Sequence, residues 1–211
     1  MKTTAVKLKT TILIALAAWS ITGFAQVKTK HVTKDDGNWV LINGVKWATR
    51  NVGAPHTFVQ NFEDYGGYYQ WNKGTTDFLL NDDFYNSVYA NSMFWLPGND
   101  PSPVGYRVPT LAEIGSLTNT TYVKYEWTTQ NGISGGRFTD RATGSSIFLP
   151  AAGYRYSNDG TLYGDDYRGY YWSSTQGDSR YACDLGFGSG GADWSYWNYK
   201  SDGRSVRPVA E

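Results

Sequence analysis

The chain has 211 residues, of which 17% are aromatic and 24 are glycine, and its 19 basic residues balance 19 acidic ones. Three of the basic residues, Lys2, Lys7 and Lys9, fall in the first 25 residues, which carry no acid, so the rest holds 16 basic against 19 acidic residues, a net charge of −3. A nucleic-acid partner is excluded on that balance, because its phosphates demand a basic stripe.

In chain order, residues 1–25 combine a basic start, an apolar run from Thr11 to Trp19 and the small-residue end Gly23-Phe24-Ala25. That order predicts a secretory signal peptide. The run is too short to cross a bilayer, which takes roughly 20 apolar residues, so no membrane insertion is expected. No cysteine closes the run, so the lipoprotein acceptor is missing and a secreted, periplasmic or cell-surface protein is expected. Residues 26–37 are polar and aperiodic, a linker, and 38–211 is long enough for one domain.

The domain opens with two β-rich runs, Trp39–Ile42 and Val45–Thr49, around Asn43-Gly44, the strongest short hairpin signal. Thr110 and Glu113 make a capping box after Pro109, predicting a short helix whose Leu111, Ile114 and Leu117 share a face. From Ser145 onward, short apolar or aromatic runs punctuated by Gly, Asn and Asp read as antiparallel strands. The pattern is an N-terminal hairpin, little helix in the middle and a β-rich second half, which argues for an α+β, β-rich fold. Cys183, alone and unable to form an internal disulfide, is expected as a small buried residue on the inner face of a strand.

Motifs for chemistry fail on context. Gly132-Ile-Ser134-Gly-Gly136 matches a nucleophile elbow, but both histidines, His31 and His56, precede Ser134. Gly186-Phe-Gly188-Ser-Gly-Gly191 matches a dinucleotide fingerprint, but no helix-forming sequence follows it. The acid pairs Asp35-Asp36, Glu63-Asp64, Asp82-Asp83 and Asp165-Asp166 read as solvated turn residues, since neighbours on a strand face opposite ways. No calcium loop is present, and two histidines and one cysteine do not make a zinc site, so no catalytic residue, metal or cofactor is expected.

Six stretches, "WATRNVGA", "DYGGYYQWN", "GNDPSPVGYRVPTLAEI", "SIFLPAAGYR", "GYYWSST" and "SVRPV", occur in an order that resembles the Fibrobacter succinogenes major paralogous domain family of secreted Bacteroidetes proteins. The resemblance covers nearly all of residues 38–209. It implies a C-type lectin-like or formylglycine-generating-enzyme-like fold with the termini together, the opening hairpin lying beside "SVRPV". Ser102 stands where many members have cysteine, and a single cysteine argues against formylglycine-generating activity. Trp71-Asn72-Lys73 breaks the Trp-Asn-Asp motif of calcium-dependent lectins, and their Glu-Pro-Asn motif is absent.

Near the C-terminus, "GADWSYWNY" mixes large rings with small polar residues, the composition of evolved binding surfaces. On a regular strand Trp194, Tyr196 and Asn198 would share one face, and Ser195, Trp197 and Tyr199 the other. The tryptophans are either core or ligand contacts. Asp184, Asp193, Trp194, Tyr196, Trp197, Asn198 and Tyr199 are the candidate binding residues. Several of them, with Cys183 and nearby Gly and Ser positions, are reachable from an Asn codon by changes at adenine, which resembles the variable proteins of diversity-generating retroelements. A non-catalytic, secreted or surface-displayed binder of a protein or glycan at a cell or phage surface is therefore expected. The alternatives are a glycan-active enzyme and a structural subunit of a surface assembly.

Overall fold

A computed structural model describes residues 37–211; the signal peptide and nearly all of the linker lie outside the described residues. β1 (Trp39–Ile42) and β2 (Val45–Ala48) form the expected hairpin, with Asn43 at φ 43° and Gly44 at φ 82°. Positive φ at both turn positions is what a two-residue turn matched to strand twist requires, and Asn-Gly tolerates it best. The turn is anchored from both sides: Asn43 N–H donates to Asp140 Oδ2 at 2.8 Å and its carboxamide to Ser116 O at 2.9 Å.

A five-residue helix, α1 (Asn81–Tyr85), precedes the short strand β3 (Tyr106–Arg107) and α2 (Leu111–Thr118). α2 begins with the full capping box: Thr110 Oγ1 accepts from Glu113 N–H at 3.3 Å, and Glu113 Oε2 accepts from Thr110 N–H at 2.7 Å. Its Ile114 and Leu117 are buried as the spacing predicts.

Between the helix and Ser145, where the sequence analysis assigns no element, lie two further strands. β4 (Val123–Gln130) and β5 (Ile133–Asp140) form a long hairpin, extended to three strands by β6 (Ser146–Pro150). Its turn is Asn131-Gly132, at φ 49° and 86°, so the elbow-like string around Ser134 is hairpin and the start of β5.

A second sheet has the order β11-β10-β9-β7-β8, built from β7 (Ala152–Arg155), β8 (Leu162–Asp165), β9 (Arg168–Gln176), β10 (Tyr181–Gly188) and β11 (Gly191–Tyr199). Only the β7–β9 contact among these is parallel. The last strand, β12 (Val209–Ala210), lies between β2 and β3, pairing Val209 with Trp47 and Arg107. "SVRPV" thus adds only Val209 to this ladder, because Pro208 has no N–H to donate, while its Ser205 bridges Tyr171 of β9. Arg207 finishes the closure from the buried side, donating to Asn51 Oδ1 at 2.8 Å and Ala48 O at 3.1 Å. The described chain is β-rich, mostly antiparallel and has few helices.

The β9–β10–β11 layer separates two cores. On one face Tyr171, Leu185 and Phe187 pack with Ile114 and Leu117 of α2 and Val123 and Phe138 of β4 and β5. On the other, Trp172 and Ala182 pack with Val52, Tyr69, Trp71 and Val206. A central strand buried on both faces explains why "GYYWSST" is aromatic at consecutive positions instead of alternating. Cys183 is fully buried in β10, as expected, and burial pushes its thiol up to about 11.

Candidate ligand-binding surface

β10 and β11 are joined by the two-residue turn Ser189-Gly190, and β11 is the outer strand of its sheet. The glycine string is therefore a hairpin end, not a phosphate-binding loop. Along the pair, Leu185 faces Trp194 and Asp184 faces Ser195, but Ala182 faces Asn198. One residue of β10, Cys183, is matched by two of β11, so β11 carries a bulge at Tyr196-Trp197.

The bulge resets which side chains share a face. Residues directly opposite each other point the same way, so Asn198 joins Ala182 on the face of the second core, where Asp184 also lies. Trp194 stays on the face of Leu185, and Tyr199 on the face of Tyr181. Trp197 meets the Tyr181 ring at 5.5 Å and Tyr199 meets it at 4.8 Å, so those three rings cluster. Strict alternation, which divides Trp194 from Trp197, is thus corrected: one extra residue brings Trp194, Trp197 and Tyr199 to one side. Trp197 is 70% exposed, Tyr199 42% and Trp194 38%, well outside the core range. The Ser195 and Tyr196 side chains lie outside the described set.

The polar candidates divide. Asp193 is exposed, its Oδ1 accepting Trp194 N–H at 2.8 Å. Asp184 is only 1% exposed and does not reach the surface. Its Oδ2 pairs with Arg204 Nη1, and its Oδ1 accepts from Asn198 Nδ2 at 2.7 Å. Asn198 Oδ1 in turn accepts from Arg204 Nη2 at 2.9 Å, and Asp202 Oδ2 stands 3.5 Å from the same nitrogen. Three rings enclose the guanidinium, Trp172 at 4.8 Å, Tyr170 at 4.9 Å and Tyr154 at 5.4 Å. Asp184 and Asn198 are brought together in an ionic knot whose Asp184 and Arg204 are buried, with Asn198 half-buried on β11 at its edge. Burial pushes the Asp184 carboxyl up to about 6, opposed by Arg204.

On the same face as the knot, nearer the hairpin end, lies an open trough of about 580 Å³ around Gly186 and Gly188, rimmed by Tyr167, Arg168, Tyr170 and Asp193. None of its lining comes from β4 or β5, which cover the opposite face. Sequence reasoning missed the tyrosines and Arg168, although the alternate glycines of "DLGFGSG" were the available signal. It also missed an apolar stretch beside the end of β9, where Val88, Met93 and Phe94 are exposed and Phe94 bridges Thr175. That stretch has no periodicity to betray it.

Other expectations are placed as follows. Asp166 Oδ1 accepts from the Tyr65 hydroxyl at 2.6 Å, and Glu63 Oε1 from Asn131 Nδ2 at 2.8 Å, so these acids anchor turns and loops. Trp71 and Asn72 are buried, with Asn72 Oδ1 accepting Leu96 N–H at 2.7 Å. Among the described residues no three His, Cys, Asp or Glu side chains gather as a metal site, and no helix is long and apolar enough to cross a membrane.

A family model described as a domain of unknown function (DUF8237) matches residues 121–209, less than half of the chain, running from the start of the β4–β5 hairpin to the last strand. No curated protein matches the chain, and no solved structure does.

Proposed function

We propose that the protein is a secreted or surface-displayed, non-catalytic ligand-binding protein of C-type lectin-like fold, using the outer face of β11. The observation that carries this reading is the bulge that turns Trp194, Trp197 and Tyr199 to one side of an outer strand while leaving all three substantially exposed. Exposed Trp and Tyr are costly to leave in water and concentrate binding energy at interfaces. The family resemblance, the last strand lying against the opening hairpin and the signal-peptide pattern support the same reading. The adenine-reachable positions cluster on this hairpin, which favours a surface diversified by a retroelement.

Trp197→Ala and Tyr199→Ala test the proposal. Both variants keep the parent's stability to within about 0.5 kcal/mol, as exposed positions do. Binding to a partner selected from glycan and surface-protein arrays falls by at least about tenfold, the loss expected of a hot spot. Unfolding of both variants, or undiminished binding in both, overturns it. Sequencing the locus addresses the diversified version separately: a near-copy of the gene's 3′ end differing only at adenines, beside a reverse transcriptase, supports it.

A further inference from the structure

Gly186 sits mid-strand in β10, where a glycine weakens the strand and commonly marks close approach by a backbone or a ligand. Its neighbours in the layers have packing reasons. A Cβ on Gly169 would lie 2.0 Å from the Phe187 ring, one on Gly136 2.8 Å from the Tyr125 ring, and one on Gly188 3.2 Å from Tyr167 O. At Gly186 a Cβ meets nothing nearer than the Tyr170 ring at 3.7 Å, an ordinary contact. The fold does not demand a glycine there. What the glycine does is keep the trough floor bare.

The trough has a definite shape and chemistry. β9 and β11 flank β10 at about 4.8 Å each, so their side-chain rows stand roughly 9.6 Å apart over a floor of bare backbone. Tyr170 and Arg168 rise from β9, Asp193 from β11, and Tyr167, 77% exposed, closes the hairpin end. The rim carries one cation and one anion, so it selects for neither sign. It offers a guanidinium donor on one side and a carboxylate acceptor on the other, with the Tyr167 ring at the hairpin end. A ligand that suits it is flat, uncharged, and lined with hydroxyls that both donate and accept.

We propose that the trough binds a neutral pyranose unit of a glycan. The apolar C–H face of the sugar lies against the Tyr167 ring, whose negative π-face favours it. Vicinal hydroxyls donate to Asp193 and accept from Arg168. The site opens on the face opposite Trp197 and Tyr199, so it shares with the reading above only Asp193 and the edge of Trp194, which also lines the trough.

The test titrates the full chain with maltohexaose, cellohexaose, chitohexaose and mannohexaose by calorimetry, and pans the same protein against a random heptapeptide phage library. At least one oligosaccharide binds, and Gly186→Val, which fills the floor, weakens it at least tenfold. Tyr167→Ala, at an exposed turn, does the same without touching the sheet, and Gly186→Ala retains the parent's melting temperature. Trp197→Ala leaves sugar binding unchanged. The proposal is overturned if none of the four sugars binds, if binding survives Gly186→Val, if it is lost with Trp197→Ala instead, or if only peptides compete for the trough. A failure here with the Trp197 and Tyr199 variants still defective leaves the ring face standing, so the two readings fail separately.

Discussion

The Asp184 carboxylate and the Asn198 carboxamide, fourteen positions apart on neighbouring strands, bond each other at 2.7 Å and share Arg204 between them. Asp184, whose polarity suggests ligand contact, is instead committed to the inside of the layer, and Asn198 spans from it to the half-exposed edge of β11. Their partner Arg204 is the pivot, since among the described residues it pairs with both carboxylates of the knot.

Arg204→Met therefore leaves Asp184 and Asp202 buried without a counter-charge. Breaking one side of a buried ion pair costs about 3–5 kcal/mol. Urea unfolding of Arg204→Met should show a loss of that size, whereas Lys124→Met, at the exposed Lys124–Glu126 pair of 2.9 Å, should lose no more than about 1 kcal/mol. Equal losses in the two variants would remove the knot's structural role.

The same knot gives a pH dependence of definite sign. Burial raises the folded-state Asp184 carboxyl to about 6, and burial raises Asp202 as well, while an unfolded aspartate titrates near 3.9. The folded state therefore holds the proton more tightly than the unfolded one. The stabilising contribution of protonated Asp184 is fully present below about pH 4 and is lost as pH rises through 6. About two pH units at 1.36 kcal/mol each make the loss about 3 kcal/mol. Asp184→Asn removes the titration, so the stability difference between variant and parent should shift by that amount in the variant's favour between pH 4 and pH 7. A constant difference across the window would mean that Asp184 titrates normally.

How much of this was legible depends on how local each cause is. The Asn43-Gly44 turn and the Thr110–Glu113 box are short-range chemistry, and both stand in the structure where the sequence puts them. Asn131-Gly132 carries the same turn signal and makes the turn of the β4–β5 hairpin, an element that the sequence analysis does not assign. The bulge in β11 was not legible, because nothing in "WSYWN" specifies which residue of β10 stands opposite. Alternation puts Trp194 and Trp197 on opposite faces, and only the pairing with β10 puts them on one. Asp184 was misread for a related reason: its burial depends on Arg204, twenty residues away, and on rings from β7 and β9.

Cys183 supplies the last prediction. Its side chain is fully buried, and burial raises its thiol to about 11, so at pH 8 very little is thiolate and none of it meets solvent. The carbonyl of Cys183 accepts from Ser173 Oγ at 2.8 Å, which fixes this point of β10 against β9. A thiol so placed reacts only when the strands separate. Native protein should therefore resist iodoacetamide and a disulfide-exchange dye at pH 8, and the labelling rate should rise with urea in parallel with global unfolding. Opening the β10–β11 hairpin alone would also expose it, but with a shallower urea dependence, since less surface is uncovered. Labelling that tracks the full unfolding transition places the hairpin in the stable core of the sheet. Rapid labelling without denaturant would contradict the burial of Cys183.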